Sequence, residues 1–226
     1  VTVSFIIMAC PRLTPKAGLR SDTRLEDKSV EEYFSTRLDP SRDGWQKPEK
    51  VIEAAGVGKG DIVAVPWAGA GYFLPYLSEA VGPEGIVYAS EHNKKIMEKL
   101  RQRVEELGLA NVRLIESRPE APQIPYGQAD FAFVVNAQAY IDFPYAFFDN
   151  LRRGMTTGGT LVVIDWKKDS KRGPEKKLRR PKEEMSDMLR SMRMEPEAEY
   201  KLLEYQYLIV FKVISRHGKA ESVWDI

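Results

Sequence analysis

Five short apolar runs, 62–65, 86–89, 112–115, 130–135 and 160–165, recur along the chain between stretches of helical period. Each is too short for a helix and rich in β-branched residues, which marks it as a buried strand. The intervening stretches space apolar residues three and four apart. Phe73, Leu74, Leu77 and Val81 do so within 72–81, and Ile96, Leu100, Val104 and Leu107 within 93–107, where Gly108 ends the run. Further helices are predicted over 30–38, 48–55, 144–153 and 183–194, and a turn over 156–159. The period then shortens, and 199–203 and 205–214 alternate like an antiparallel pair. Strand followed by helix, repeated, implies parallel strands joined by right-handed crossovers. The expected fold class is therefore α/β, a mostly parallel sheet with a C-terminal antiparallel hairpin and helices on both faces. The expected domain covers 29–214, between an N-terminal segment 1–28 and a tail 215–226.

The stretch 61–91 carries the chemistry. A strand ends in Ala68-Gly69-Ala70-Gly71, a helix follows, and the next strand ends at Glu91, about 20 residues after the turn. A small-residue turn lets backbone N–H groups approach a ligand, and an acid at the second strand's tip can hold ribose hydroxyls. The competing reading is that the glycines only permit tight helix–strand packing. The aromatic residues of 29–48 either cover the ligand pocket or pack on the sheet.

Composition narrows the classes. Lys+Arg 34 against Asp+Glu 33 in 226 residues leaves a net charge of +1, which argues neither for nor against a polyanionic partner. A single cysteine, Cys10, excludes an internal disulfide, and two histidines argue against a zinc site, so no metal is expected. No apolar run has the length of a transmembrane span. The apolar start, 1–10, has two readings. One is a loosely docked tail on a cytoplasmic protein. The other takes Ile7-Met8-Ala9-Cys10 as a lipoprotein box that anchors an exported protein through Cys10. The basic run 167–182 is read as a solvated loop, because no aromatic platform is interleaved to stack bases, and nucleic acid is not the expected partner.

From 44 to 213 the chain resembles the class I S-adenosylmethionine-dependent methyltransferases, above all their ubiquinone- and menaquinone-biosynthesis-like branch. The residues carrying the likeness are Val65-Pro66-Trp67-Ala68-Gly69-Ala70-Gly71 at the first strand, Glu91 after the second, and Met155-Thr156-Thr157-Gly158-Gly159 before the fifth. The resemblance implies a Rossmann-like methyltransferase fold with S-adenosylmethionine as cofactor. It implies cofactor contacts at Val65, Trp67, Ala68, Gly69, Gly71, Glu91, Ser117, Arg118 and Asn136, and substrate contacts at Tyr140 and Asp165. Three positions depart from the family pattern. Val65 replaces an acid that supports the cofactor's amino-acid end, and Trp67 replaces the first glycine. Arg118 stands where many members have an acceptor for the adenine amino group, and an arginine has none to offer.

Two functions follow. One is methyl transfer to a small-molecule acceptor, a reaction that chiefly needs positioning, so that no dedicated catalytic side chain is expected. The other is a methyltransferase fold with impaired cofactor binding that serves as a binding or regulatory protein. The departures at Val65, Trp67 and Arg118 motivate the second and lower the cofactor affinity expected under the first.

Overall fold

The computed structural model describes residues 29–214. The Cys10 box, the segment 1–28 and the tail 215–226 lie outside the described residues.

Seven strands form a single sheet in the order β3-β2-β1-β4-β5-β7-β6. The parallel part comprises β1 (Ile62–Pro66), β2 (Ile86–Glu91), β3 (Val112–Glu116), β4 (Ala129–Val135) and β5 (Met155–Trp166). β7 (Gln206–Val213) pairs antiparallel with β5, and β6 (Met194–Tyr200) antiparallel with β7. The helices are α1 (Val30–Arg37), α2 (Arg42–Gln46), α3 (Pro48–Ala55), α4 (Leu74–Val81), α5 (Lys94–Glu106), α6 (Pro144–Gly154) and α7 (Lys182–Ser191). α1, α3, α4 and α5 pack with Val63, Val65, Phe133 and Ile164 on one face of the sheet. On the other face, α6 and α7 pack with Ala64, Val134, Val163 and Phe211.

Local chemistry explains the boundaries. Ser29 caps α1 by accepting from Glu32 N at 3.0 Å, and Asn93 caps α5 through Lys95 N and Ile96 N. α3 and α6 begin with Pro48 and Pro144, where a missing N–H costs nothing. Central strands β1 and β4 are apolar on both sides because helices cover both faces.

The structure corrects the reading in three places. The turn predicted at 156–159 is absorbed into β5, which runs unbroken from Met155 while its pairing with β4 shifts register between Ala129 and Phe131. The helix predicted to reach Met194 stops at Ser191, and β6 begins at Met194, ahead of the predicted 199. In Met194-Glu-Pro-Glu-Ala-Glu-Tyr200 the inward positions include only Pro and Ala beside Met and Tyr, so the period-2 signal is faint. α2 was not foreseen, since its five residues are too few to show a period.

Candidate functional site

The C-terminal ends of parallel strands are where ligands bind in open α/β sheets. Here a cavity of about 420 Å³ lies beyond β1 and β4, within the range of small-molecule sites. Val65, Phe133 and Val135 form an apolar floor, and Ala68-Gly69-Ala70 forms one edge. α1 and α2 supply the roof through Tyr33, Arg37, Arg42 and Trp45. The far wall comes from Trp166 and the loop after β5, at Arg172–Pro174.

Glycine is needed at the loop. A Cβ on Gly69 (φ +59) would lie 2.6 Å from the Tyr33 hydroxyl, so its absence lets α1 close over the turn. At Gly71 a Cβ would meet Leu100 Cδ1 at 2.6 Å, so that glycine serves helix packing.

Trp67 has φ +52, a left-handed conformation that is strained for a bulky residue. Its indole is buried against Phe147 (centroids 5.7 Å) and the His92 ring (4.3 Å), on the α6 side of the sheet. It therefore builds the wall of the cavity without filling its centre.

Glu91 is buried and outside the cavity lining. Its Oε2 accepts from Gly69 N at 3.1 Å, and Oε1 accepts from His92 N and Asn93 N, each at 2.9 Å. It thus clamps the loop after β1 to the loop after β2. Ser117 N donates to Glu91 O at 3.0 Å. The hydroxyls of Ser90 and Ser117 are buried without a hydrogen-bond partner among the described residues. Arg118 is exposed, its backbone bridged to Ala121, and does not line the cavity.

Asn136 and Tyr140 both line it. Asn136 (φ +55) accepts from Gln206 Nε2, and Gln206 Oε1 accepts from Gln46 Nε2 at 2.7 Å. Gln46 Oε1 in turn accepts from Arg42 Nε and Nη2 at 3.3 and 3.2 Å. This buried chain ties α2 to the ends of β4 and β7.

Asp165, expected near the substrate, lies elsewhere. It is 3% exposed and accepts from Trp166 N at 2.7 Å and Gln138 N at 3.1 Å, pinning the turn after β4. Burial raises its carboxyl to about 6, only partly offset by those two amides.

The sequence reading missed the cationic lining. Arg37, Arg42 and Arg172 line the cavity, while among the described residues no Asp, Glu, His or Lys does. The basic run is solvent-facing over much of its length, as a solvated loop would be, yet it also folds back on the site. Arg179 donates to the carbonyls of Ser170 (2.7 Å) and Pro174 (2.8 Å), folding the segment back so that Arg172 lies over Trp45 and Tyr205. The signal available was the alternation of arginines with aromatics between Tyr33 and Trp45. Which of them converge depends on α2.

A methyltransferase-domain family matches residues 68–163 of this chain. The chain is 33% identical over 116 residues to the protein-L-isoaspartate O-methyltransferase of Ignicoccus hospitalis, covering 50% of this chain and 51% of that protein. It is 34% identical over 119 residues to the demethylmenaquinone methyltransferase of Geobacillus kaustophilus, covering 52% and 50%. The chain thus spans about half the length of the curated relatives it matches. Among solved structures, a SAM-dependent methyltransferase from Aquifex aeolicus superposes with a TM-score of 0.78 at 27% identity, over 82% of this chain and 99% of that one.

Proposed function

Since this chain belongs to the class I S-adenosylmethionine-dependent methyltransferases, we propose that it transfers the methyl group of S-adenosylmethionine to a small-molecule acceptor. The observation that carries this reading is the cavity of about 420 Å³ at the ends of β1 and β4, roofed by α1 and α2. An in-line displacement at a sulfonium needs alignment and exclusion of water. An apolar floor of Val65, Phe133 and Val135 under an aromatic roof provides both.

The residues present fit the cofactor in kind. Two orphaned buried hydroxyls, Ser90 and Ser117, lie at the C-terminal ends of β2 and β3. In our reading the 68–71 backbone, Glu91 and Ser117 hold the nucleoside, and Val65, Trp67 and Asn136 bound the methionine end. Tyr140, on the cavity lining, faces the acceptor. The cofactor supplies an electrophilic methyl group. The chain's own part is to orient it and keep water out.

The second reading, a binding protein on the same fold, is motivated by the strained Trp67 and by the engagement of Glu91 with three backbone amides. Titration calorimetry with S-adenosylhomocysteine separates the two. Micromolar binding is expected of the enzyme, and no detectable heat at millimolar ligand would reject it.

A further inference from the structure

Arg42 is a buried charge on which the Asp43 carboxylate acts through space without pairing. It is 9% exposed, and among the described residues it forms no ion pair. Its side-chain hydrogen bonds among the described residues go to neutral acceptors: Nε and Nη2 to Gln46 Oε1, and Nη1 to the Arg37 carbonyl at 2.8 Å. Its guanidinium stacks on the Tyr72 ring at 3.8 Å. Desolvation draws it down to about 10, Tyr72 and Asp43 partly oppose that shift, and the Arg37 charge adds to it. Holding a guanidinium this way is costly unless an anion compensates.

A second guanidinium lies against the same indole. Arg42 lies 5.7 Å from the Trp45 ring centroid and Arg172 lies 5.5 Å from it. Trp45 is itself tilted against Trp166 at 5.6 Å, and both indoles line the cavity. The nearby acids act on the two guanidiniums only through space, Asp43 on Arg42 and Asp39 on Arg172. Asp43 accepts from the Tyr72 hydroxyl at 2.5 Å, Asp39 accepts from Ser41 N at 2.8 Å, and neither lines the cavity. The cavity therefore combines flat indole surface, an apolar floor and guanidinium groups with unused N–H donors.

Resting on the methyltransferase reading above, we infer that the acceptor is a planar acid whose carboxylate or phosphate is held by Arg42 and Arg172 while its ring lies against Trp45 and Trp166. Arginine suits either oxyanion because its fork matches both bidentately. Among the described residues the lining has no acid, His or Lys to balance the cofactor's sulfonium or to take a proton from the acceptor. An anionic acceptor supplies the missing charge, so acid and S-adenosylmethionine bind with positive, reciprocal coupling.

The test uses the full chain and four probes in titration calorimetry: 2-naphthoate, 2-naphthyl phosphate, neutral 2-naphthamide and inorganic phosphate. At least one aryl acid should bind about ten-fold or more tightly than the amide, and which of the two does so identifies the oxyanion. Inorganic phosphate should bind more weakly than the preferred acid, since it cannot use the indoles. Arg172→Gln, on an exposed loop, and Arg42→Met should each weaken the preferred acid about ten-fold while leaving the amide unchanged. Arg42→Lys should recover part of the loss. Should Arg42→Met fail to fold, Arg172→Gln decides. The preferred acid should also tighten S-adenosylmethionine more than S-adenosylhomocysteine, which lacks the sulfonium. Amide binding equal to that of both acids, or acid binding indifferent to Arg172→Gln, overturns the inference. Cofactor binding that stays intact in that event leaves the methyltransferase reading standing. Acid binding with no binding of either cofactor form rejects the methyltransferase reading and keeps the anion site.

Discussion

The Glu91 carboxylate accepts the backbone N–H of Gly69 at 3.1 Å, joining the tips of the first two loops at the sheet's C-terminal edge. A residue expected from the family likeness to serve ribose is thus also a clamp on the glycine turn. Its other oxygen takes the N–H groups of His92 and Asn93, so the carboxylate orders the entry to α5 as well.

Glu91→Ala should therefore act on stability and on cofactor binding together. Removing the carboxylate strips one buried and two partly buried amides of this acceptor, at a cost of about 1–3 kcal/mol for a group left unsatisfied and less where water reaches it. Urea denaturation should show a loss of several kcal/mol. Glu91→Gln keeps one acceptor oxygen and should lose less. If the ribose role is also right, S-adenosylhomocysteine should bind the folded Gln variant about ten-fold more weakly. Unchanged affinity would confine Glu91 to the clamp.

Trp67 offers opposing terms of known size. Relief of its left-handed backbone in Trp67→Gly recovers about 1–2 kcal/mol. Loss of the buried indole between His92 and Phe147 costs about 3–5 kcal/mol. A net loss of roughly 2–3 kcal/mol is expected, larger than the cost of glycine's flexibility alone. A lowered thermal midpoint would show it, and a raised one would mean the strain outweighs the packing.

Val65→Asp puts a carboxylate into a cavity lining that, among the described residues, has three arginines and no acid. It should bind S-adenosylmethionine about ten-fold more tightly than the parent, through attraction to the sulfonium and ammonium groups. The sign would reverse if the new carboxylate were captured by Arg42. The double variant Val65→Asp/Arg42→Gln, assayed by calorimetry, separates those outcomes.

Asp165 gives the protein a pH dependence. Its carboxyl is raised from 3.8 to about 6 by burial, so between those values the folded state holds a proton that the unfolded state has lost. This group's contribution is fully present below about 3.8 and is lost as pH rises through about 6, a fall of roughly 3 kcal/mol. Asp165→Asn should flatten the stability profile over that interval in chemical denaturation at a series of pH values. An identical slope in both proteins would refute the assignment.

Gly173 tests the far wall. It has φ +98, and a Cβ there would lie 2.4 Å from the Trp166 ring. Gly173→Ala should lift the loop, carry Arg172 away from Trp45, and raise the fluorescence accessibility of these indoles to a neutral quencher, with little change in global stability.

What the sequence determined by itself is the strand–helix alternation, the parallel pairing of the first five strands, and the glycine turn followed by an acid. These depend on period and on local backbone preference, which neighbours along the chain carry among themselves. The faint edge strand β6 was legible only in part, because its inward positions are filled by Met, Pro, Ala and Tyr. The site's character was decided by tertiary structure alone. Gln46 reaches Gln206 across 160 residues, Arg42 and Arg172 meet on one indole, and Arg179 turns a basic run into a wall. No local pattern marks such meetings. Whether an arginine faces water or a cavity is fixed by what folds against it, and its solvation cost exists only once that neighbour has arrived.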